Sequence, residues 1–404
     1  MEQQLRAWLR YSIVFGLYTQ SCEEHTTNKI EYCSPSSPAA RQNKRPAWCV
    51  SIKINCHQRL KNAYLYALLP WICALYVNGL VWRRPIPGTM LSWLVATLFF
   101  TSQTLSTLLI AAEGIWRQQE HEEFLRLLQE IELSLKLRLK QDIKLDWLAQ
   151  YVRFLLKYLL SISFICYGLF IYNFAPLQYV GYFWNSIWFA LTMRFRLLQL
   201  MIYVRVLQHY MECLCVKVRQ VVAYRTAPSQ QLMDIDYAKL QSLECLLAIK
   251  EIYSLLFRGF QLLINFAGWS LFSIITSYML DYGCTLYWAM LSWEGYLERR
   301  NYYIACFWWL LPMTAIIWHL CSWCDNCIKL DRSLAALMTK IIISRFSKSL
   351  RSYRLLVHQF STQLQLQRIE VTATNFFTLD LRLIMSIGIA IATYLVIVIQ
   401  FLSI

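Results

Sequence analysis

Charge is what this chain has least of. Of its 404 residues only 16% are charged, against 57% hydrophobic, and mean hydropathy is +0.37. Soluble domains carry about a quarter charged side chains, so the composition excludes a soluble globular protein and points to an integral membrane one. Acidic residues are the scarcer sign, 24 against 39 Lys and Arg, for a formal net charge of +15. The basic residues are scattered through several loops and form no compact stripe, which argues against nucleic acid as a partner. Catalytic signatures are missing as well. The chain has no GxSxG, no HExxH and no phosphate-binding loop, and its His residues are dispersed. Neither enzyme activity nor a cofactor nor a metal is implied. No internal repeat of the transporter kind appears, and paired ionisable groups at mid-membrane depth are not apparent. The first 18 residues lack the length and small-residue cleavage pattern of a signal peptide, and read as an interfacial or re-entrant stretch. Fourteen Cys without framework spacing read as reduced, packed thiols.

What is present is long apolar runs. Seven are able to cross about 30 Å of hydrocarbon: residues 63–82, 91–112, 154–175, 183–203, 260–280, 303–321 and 380–403. Of the 39 Lys and Arg, 31 fall in the N-terminal segment and the second, fourth and sixth loops, and four in the first, third and fifth. Positive-inside bias therefore predicts a cytoplasmic N-terminus and, after seven crossings, an extracellular C-terminus. That is the reverse of a G-protein-coupled receptor. The connections on the outer side are short, apart from an aromatic loop over 281–302. The inner ones are long and helical in pattern: Leu125, Leu128, Ile131, Leu135 and Leu139 recur at helical spacing, and 341–367 reads the same way. The fold class is thus an all-α integral membrane protein of seven transmembrane helices with cytoplasmic helical extensions.

The final run, Thr393-Tyr394 followed by five apolar residues and Gln400-Phe401, carries an amide deep in an apolar helix. Such a group is costly unless it bonds a neighbouring helix or faces water. On a helix Thr393, Ile397, Gln400 and Ile404 share one face, which Tyr394 leaves. The pattern TYhhhhhQF, with h apolar, resembles the signature that closes insect gustatory receptors. Upstream, His358-Gln359-Phe360-Ser361-Thr362-Gln363-Leu364, Thr372-Ala373 and Asn375-Phe376-Phe377-Thr378-Leu379-Asp380 resemble that family's penultimate region. The likeness in detail covers residues 357–401. It implies a ligand-gated, non-selective cation channel, a tetramer of identical or related receptor subunits in the bilayer of a sensory neuron's plasma membrane. It also implies a pore lined by the last helix, with Thr393, Ile397, Gln400 and Phe401 along the pore and at its gate. Four copies would make an apolar constriction at Ile397, able to gate by dewetting, and a ring of amides that selects poorly among cations.

The ligand of such a receptor is a small tastant, for which a bitter-type compound is the expectation. Aromatic and polar residues of the outer halves offer a pocket: Tyr172, Asn173, Trp184, Asn185, Trp188, Tyr278, Tyr282 and Trp308, with Asp281 and Glu294 near the outer face. Many of the same rings equally suit an interfacial aromatic belt. Cys321, Cys324 and Cys327 follow the sixth run at helical spacing and are open to packing or palmitoylation. Asp380 and Arg382 open the last run and could pair. The expected organisation is a cytoplasmic segment 1–62, a ligand-binding bundle of six helices over 63–321, a cytoplasmic helical linker over 322–379 and a pore helix over 380–404.

Overall fold

The computed structural model describes residues 8, 12, 14–17, 47–81, 90–141, 143, 145–174, 180–226, 243–293, 302–343 and 351–402. Among them the chain is helical nearly throughout. The helices are α1 (Ala47–Val81), α2 (Met90–Trp116), α3 (Gln118–Arg138), α4 (Asp146–Phe174), α5 (Val180–Thr226), α6 (Leu243–Trp293), α7 (Tyr302–Ile343), α8 (Arg351–Leu366) and α9 (Leu381–Leu402). Each of the seven apolar intervals falls in one helix, give or take a residue at its ends. The fourth, fifth and sixth intervals sit in helices of 47, 51 and 42 residues, far more than a bilayer crossing needs. Residues 281–293 are the C-terminal part of α6 rather than a loop. Their aromatic and polar content suggested a connection, but the helix is held by packing against α2, α7 and α9.

We call the end of the bundle where α9 finishes the upper end. At the lower end α3 lies along α6, burying His121, Phe124, Leu127, Leu128, Ile131 and Leu135. This is the apolar stripe expected of an amphipathic helix that covers a core instead of facing lipid. The amphipathic α8 buries Tyr353, Leu356, Val357, Phe360 and Leu364 against α6 and α7. The Tyr253 hydroxyl lies 2.8 Å from Asp331 Oδ1 and 2.6 Å from the Gln367 carbonyl. One side chain of α6 thus ties α7 to the chain leaving α8. Cys321, Cys324 and Cys327 are each fully buried on α7. Burial raises the Cys324 and Cys327 thiols above their ordinary range, so they are packed, protonated side chains.

Between α8 and α9 a two-stranded hairpin pairs Thr372 with Thr378 and Ala373 with Phe377. Its turn holds Thr374 at φ 48° and Asn375 at φ 61°, the left-handed pair typical of tight hairpins. Asn accepts that conformation readily. A β-branched Thr does so under strain, and a Cβ on Gly268 of α6 would stand 3.0 Å from the Thr374 methyl. Asp380 then accepts a bond from the Leu383 amide at 3.1 Å, capping α9. Its carboxylate is committed to the helix start rather than to Arg382.

The described part of the N-terminal stretch, for which interfacial and re-entrant forms are the expectations, is largely enclosed by the bundle. Trp8 is completely buried and stacks on Phe195 of α5 at 5.4 Å, and Phe15 stacks on Phe195 and Trp188. The described part of this segment is a packed element of the bundle.

Candidate functional site

The interface between α2 and α6 is a ladder of polar contacts inside an apolar bundle. From the upper end downward, Gln103 Nε2 donates to the two carboxylate oxygens of Asp281 at 3.1 and 3.3 Å. The Ser102 and Ser277 hydroxyls lie 3.2 Å apart, and Ser106 donates to the Ser273 carbonyl at 3.0 Å. At the bottom Glu113 Oε1 accepts the backbone amides of Trp269 and Ser270 at 3.0 and 3.1 Å. Glu113 Oε2 meets Arg196 of α5 at 3.1 Å, with both side chains at most 6% exposed. Arg196 also donates to the Ser270 hydroxyl, the Gln199 amide oxygen and the Phe266 carbonyl.

This ion pair carries no sign in the sequence: Glu113 stands just past the interval 91–112 and Arg196 inside 183–203. Its two side chains bond the α6 backbone at Phe266, Trp269 and Ser270, near the middle of the interval 260–280. The spot is also where Gly268 receives the Thr374 hairpin, so the ion pair, the α6 backbone and the chain entering α9 meet in one place.

Just below, His121 Nε2 lies 2.8 Å from the Tyr203 hydroxyl, and its ring stacks on Phe266 at 4.6 Å. Burial, with Arg196 adding to it, lowers the His121 pKa to about 3. The folded protein therefore keeps this imidazole neutral, whereas the unfolded chain protonates it near 6.5. Its contribution is complete above pH 6.5 and lost progressively as pH falls toward 3, at up to about 1.4 kcal/mol per unit. The melting temperature of wild type relative to His121→Asn, measured in detergent, is expected to fall as pH is lowered from 7 to 5.

Of the anticipated ligand residues, Tyr278 and Tyr282 cluster at the upper end with Gln103 and Asp281, while Asn185 lies toward Gly79 of α1. Asn185 and Tyr278 are buried, and Tyr282 is half-buried. The Tyr278 hydroxyl lies 2.7 Å from that of Thr314 on α7, and its ring meets Tyr282 edge-on at 5.7 Å. Trp188 instead packs on Phe15. Tyr172, Asn173, Trp184 and Trp308 belong to helices, but their side chains lie outside the described residues, as do Glu294 and the Phe401 side chain. On α9, Thr393, Ile397 and Gln400 are exposed in the single chain. The Tyr394 ring turns the other way, onto α6, where a Cβ on Gly283 would come within 3.2 Å of it. Sequence reasoning missed Gln103 and Glu113. The available signal was a carboxylate and an amide in or beside an apolar run.

The family described as 7tm Chemosensory receptor matches residues 5–403. This chain belongs to that family. Among curated proteins the receptor is 24% identical over 321 residues to a putative gustatory receptor 39b of Drosophila melanogaster, covering 78% of this chain and 84% of that one. It is 33% identical over 147 residues to the gustatory receptor 23a of the same fly, covering 34% and 36%. These relatives place it with the insect gustatory receptors. Its fold is similar to that of the insect olfactory receptor OR5 from Machilis hrabei, with TM-score 0.60, 11% identity and 99% of both chains covered. The likeness to OR5 in complex with eugenol has TM-score 0.58 and 12% identity, again over 99% of both chains. The receptor is a multi-pass helical membrane protein.

Proposed function

We propose that this receptor is a taste channel: a tetramer of identical or related subunits that opens a non-selective cation pore when a small tastant, of bitter type, binds in the upper half of the helical bundle. The observation that carries the reading is the two-sidedness of α9. One side of the helix is applied to α6 through Tyr394 and Gly283. The other exposes Thr393, Ile397 and Gln400 in the single chain, a hydroxyl and an amide set along an otherwise apolar face. Four copies turned inward would give a water-filled axis, with Ile397 as the constriction and Gln400 and Phe401 at the gate.

In this reading the upper end is extracellular and the N-terminus cytoplasmic, as the basic loops require. Residues 1–62 form a segment on the cytoplasmic side whose stretch around Trp8 and Phe15 packs into the bundle, 63–321 the ligand-binding bundle, 322–379 the cytoplasmic anchor and 380–404 the pore helix. The protein resides in the plasma membrane of sensory neurons. The gustatory relatives and the OR5 fold, which is known with eugenol bound, support a small-molecule ligand. Tastant binding shifts a closed–open equilibrium in proportion to its preference for the open state.

The test is whole-cell recording from cells expressing the chain alone and with related subunits, without G-protein signalling. Gln400→Ala is expected to leave surface expression intact while changing single-channel conductance or relative cation permeability. A tastant-evoked current with identical permeation in wild type and variant would remove Gln400 from the pore.

A further inference from the structure

We propose that Asp281 and Gln103 form the recognition point for a positively charged organic ligand bearing N–H groups, a protonated amine, so that charge determines which tastants the receptor detects. The proposal rests on the channel reading only for the consequence of binding. The recognition itself rests on the α2–α6 interface, which holds two buried carboxylates in very different states.

Glu113 is saturated. One oxygen accepts two backbone amides and the other faces the Arg196 guanidinium. Asp281 is not. Its two oxygens share a single nitrogen, Gln103 Nε2, although an ionised carboxylate accepts about four hydrogen bonds. No Lys or Arg among the described residues lies within ion-pair distance of it. Arg194 is the nearest cation acting on its charge, and its guanidinium donates to Ser163 at 3.3 Å. Gln103 repeats the deficit: it is wholly buried, its amide nitrogen is committed to Asp281, and its Oε1 has no partner. With Asp281 ionised, three acceptor oxygens converge around one donor; burial raises its pKa to about 8, so a bound cation is also what would hold the charge on it.

A buried group in this condition costs free energy until a donor arrives, and a buried charge costs most. What is missing is positive charge together with N–H, which a protonated amine supplies in one group. A sugar supplies only donors, and a neutral aromatic neither. The surroundings fit the rest of such a molecule. Tyr278 and Tyr282 bring ring faces suited to an organic cation. Gln103 is completely enclosed while Asp281 keeps 8% of its surface, so approach is from the Asp281 side. The group also sits half a turn from Gly283, where α6 carries Tyr394 of the pore helix. A ligand that draws on Asp281 acts on the helix segment touching α9.

The experiment is thermal denaturation of the purified receptor in detergent with each of two probe sets, followed by recording. The first set is protonated amines, including quinine. The second is neutral: sucrose, fructose and coumarin. The amines are expected to raise the melting temperature of wild type. Asp281→Asn, which keeps shape and the bond to Gln103, is expected to weaken them roughly ten- to hundredfold in apparent affinity, the range for a charge-assisted hydrogen bond. Gln103→Lys puts a tethered ammonium against Asp281 and is expected to abolish amine binding by occupying the site, which serves if Asp281→Asn folds poorly. Stabilisation by neutral compounds alone, an amine effect unchanged in both variants, or no stabilisation by any probe overturns the proposal. Amine binding without current leaves the recognition point standing and sinks the channel reading. Current evoked only by neutral compounds does the reverse.

Discussion

Truncating Glu113 to alanine is expected to cost the folded receptor about 3–5 kcal/mol. The substitution leaves the Arg196 guanidinium, 3% exposed, without its counter-charge, and deprives the Trp269 and Ser270 amides of their acceptor. Most of the cost comes from the stranded charge. Two companions isolate it. Glu113→Gln keeps an acceptor for the amides but not the charge, and should fall between wild type and Glu113→Ala. Glu113→Leu combined with Arg196→Leu removes both charges and should recover much of the stability, since a buried pair replaced by apolar groups is often neutral or better. Melting in detergent, followed by size-exclusion chromatography, measures all three. A double variant no better than Glu113→Ala would show that the pair acts through geometry and not through charge compensation.

Enlarging Gly114 is the second severe change. A Cβ there would lie 2.3 Å from the Gly16 carbonyl oxygen, which is backbone and cannot rotate away as a side-chain end could. Gly16 itself stands at φ +70°, so the turn that brings it to α2 already needs glycine. Gly114→Val should therefore lift the segment around Trp8 and Phe15 off α5, uncovering the Phe195 face. Overpacking of this kind costs typically 1–3 kcal/mol. The signature is non-additivity: deleting residues 1–17 and introducing Gly114→Val should each lower the melting temperature, and together lower it scarcely further. Additive losses would mean that the valine disturbs something other than the N-terminal contact.

Legibility from sequence followed the range of the interaction. The apolar intervals, the recurrence of Leu128, Ile131 and Leu135 in the buried stripe of α3 and the amphipathic α8 are read from local periodicity, which a helix imposes directly on the order of residues. That Tyr394 leaves the face of Thr393, Ile397 and Gln400 followed from the same 3.6-residue arithmetic. Contacts between distant residues left no such trace. Glu113 and Arg196 are 83 positions apart and Gln103 and Asp281 178, and nothing in the spacing of either pair announces its partner. Residues 281–293 were hidden for another reason. Polar and aromatic side chains signal a loop to composition, whereas here Asp281, Thr285 and Tyr287 are buried side chains of a helix. Trp8 was hidden because a short apolar run looks the same beside lipid as beside Phe195. Gly114 was silent because a glycine in a helix reads as a weak spot until the backbone it admits is seen.

One consequence of the unbroken α6 concerns the kind of change this chain can absorb. Its 51 residues rise about 77 Å, and along them Tyr253, Gly268, Asp281 and Gly283 each address a different neighbour. A helix is a screw: inserting or deleting one residue between any two of these positions turns everything beyond by about 100°. Asp281 would leave Gln103 and Gly283 would leave Tyr394, even if every side chain were kept. Substitutions only alter the teeth, while an insertion shifts the thread. Divergence within α6 should therefore proceed by replacement at fixed length, and changes in length should collect in the connections at its ends.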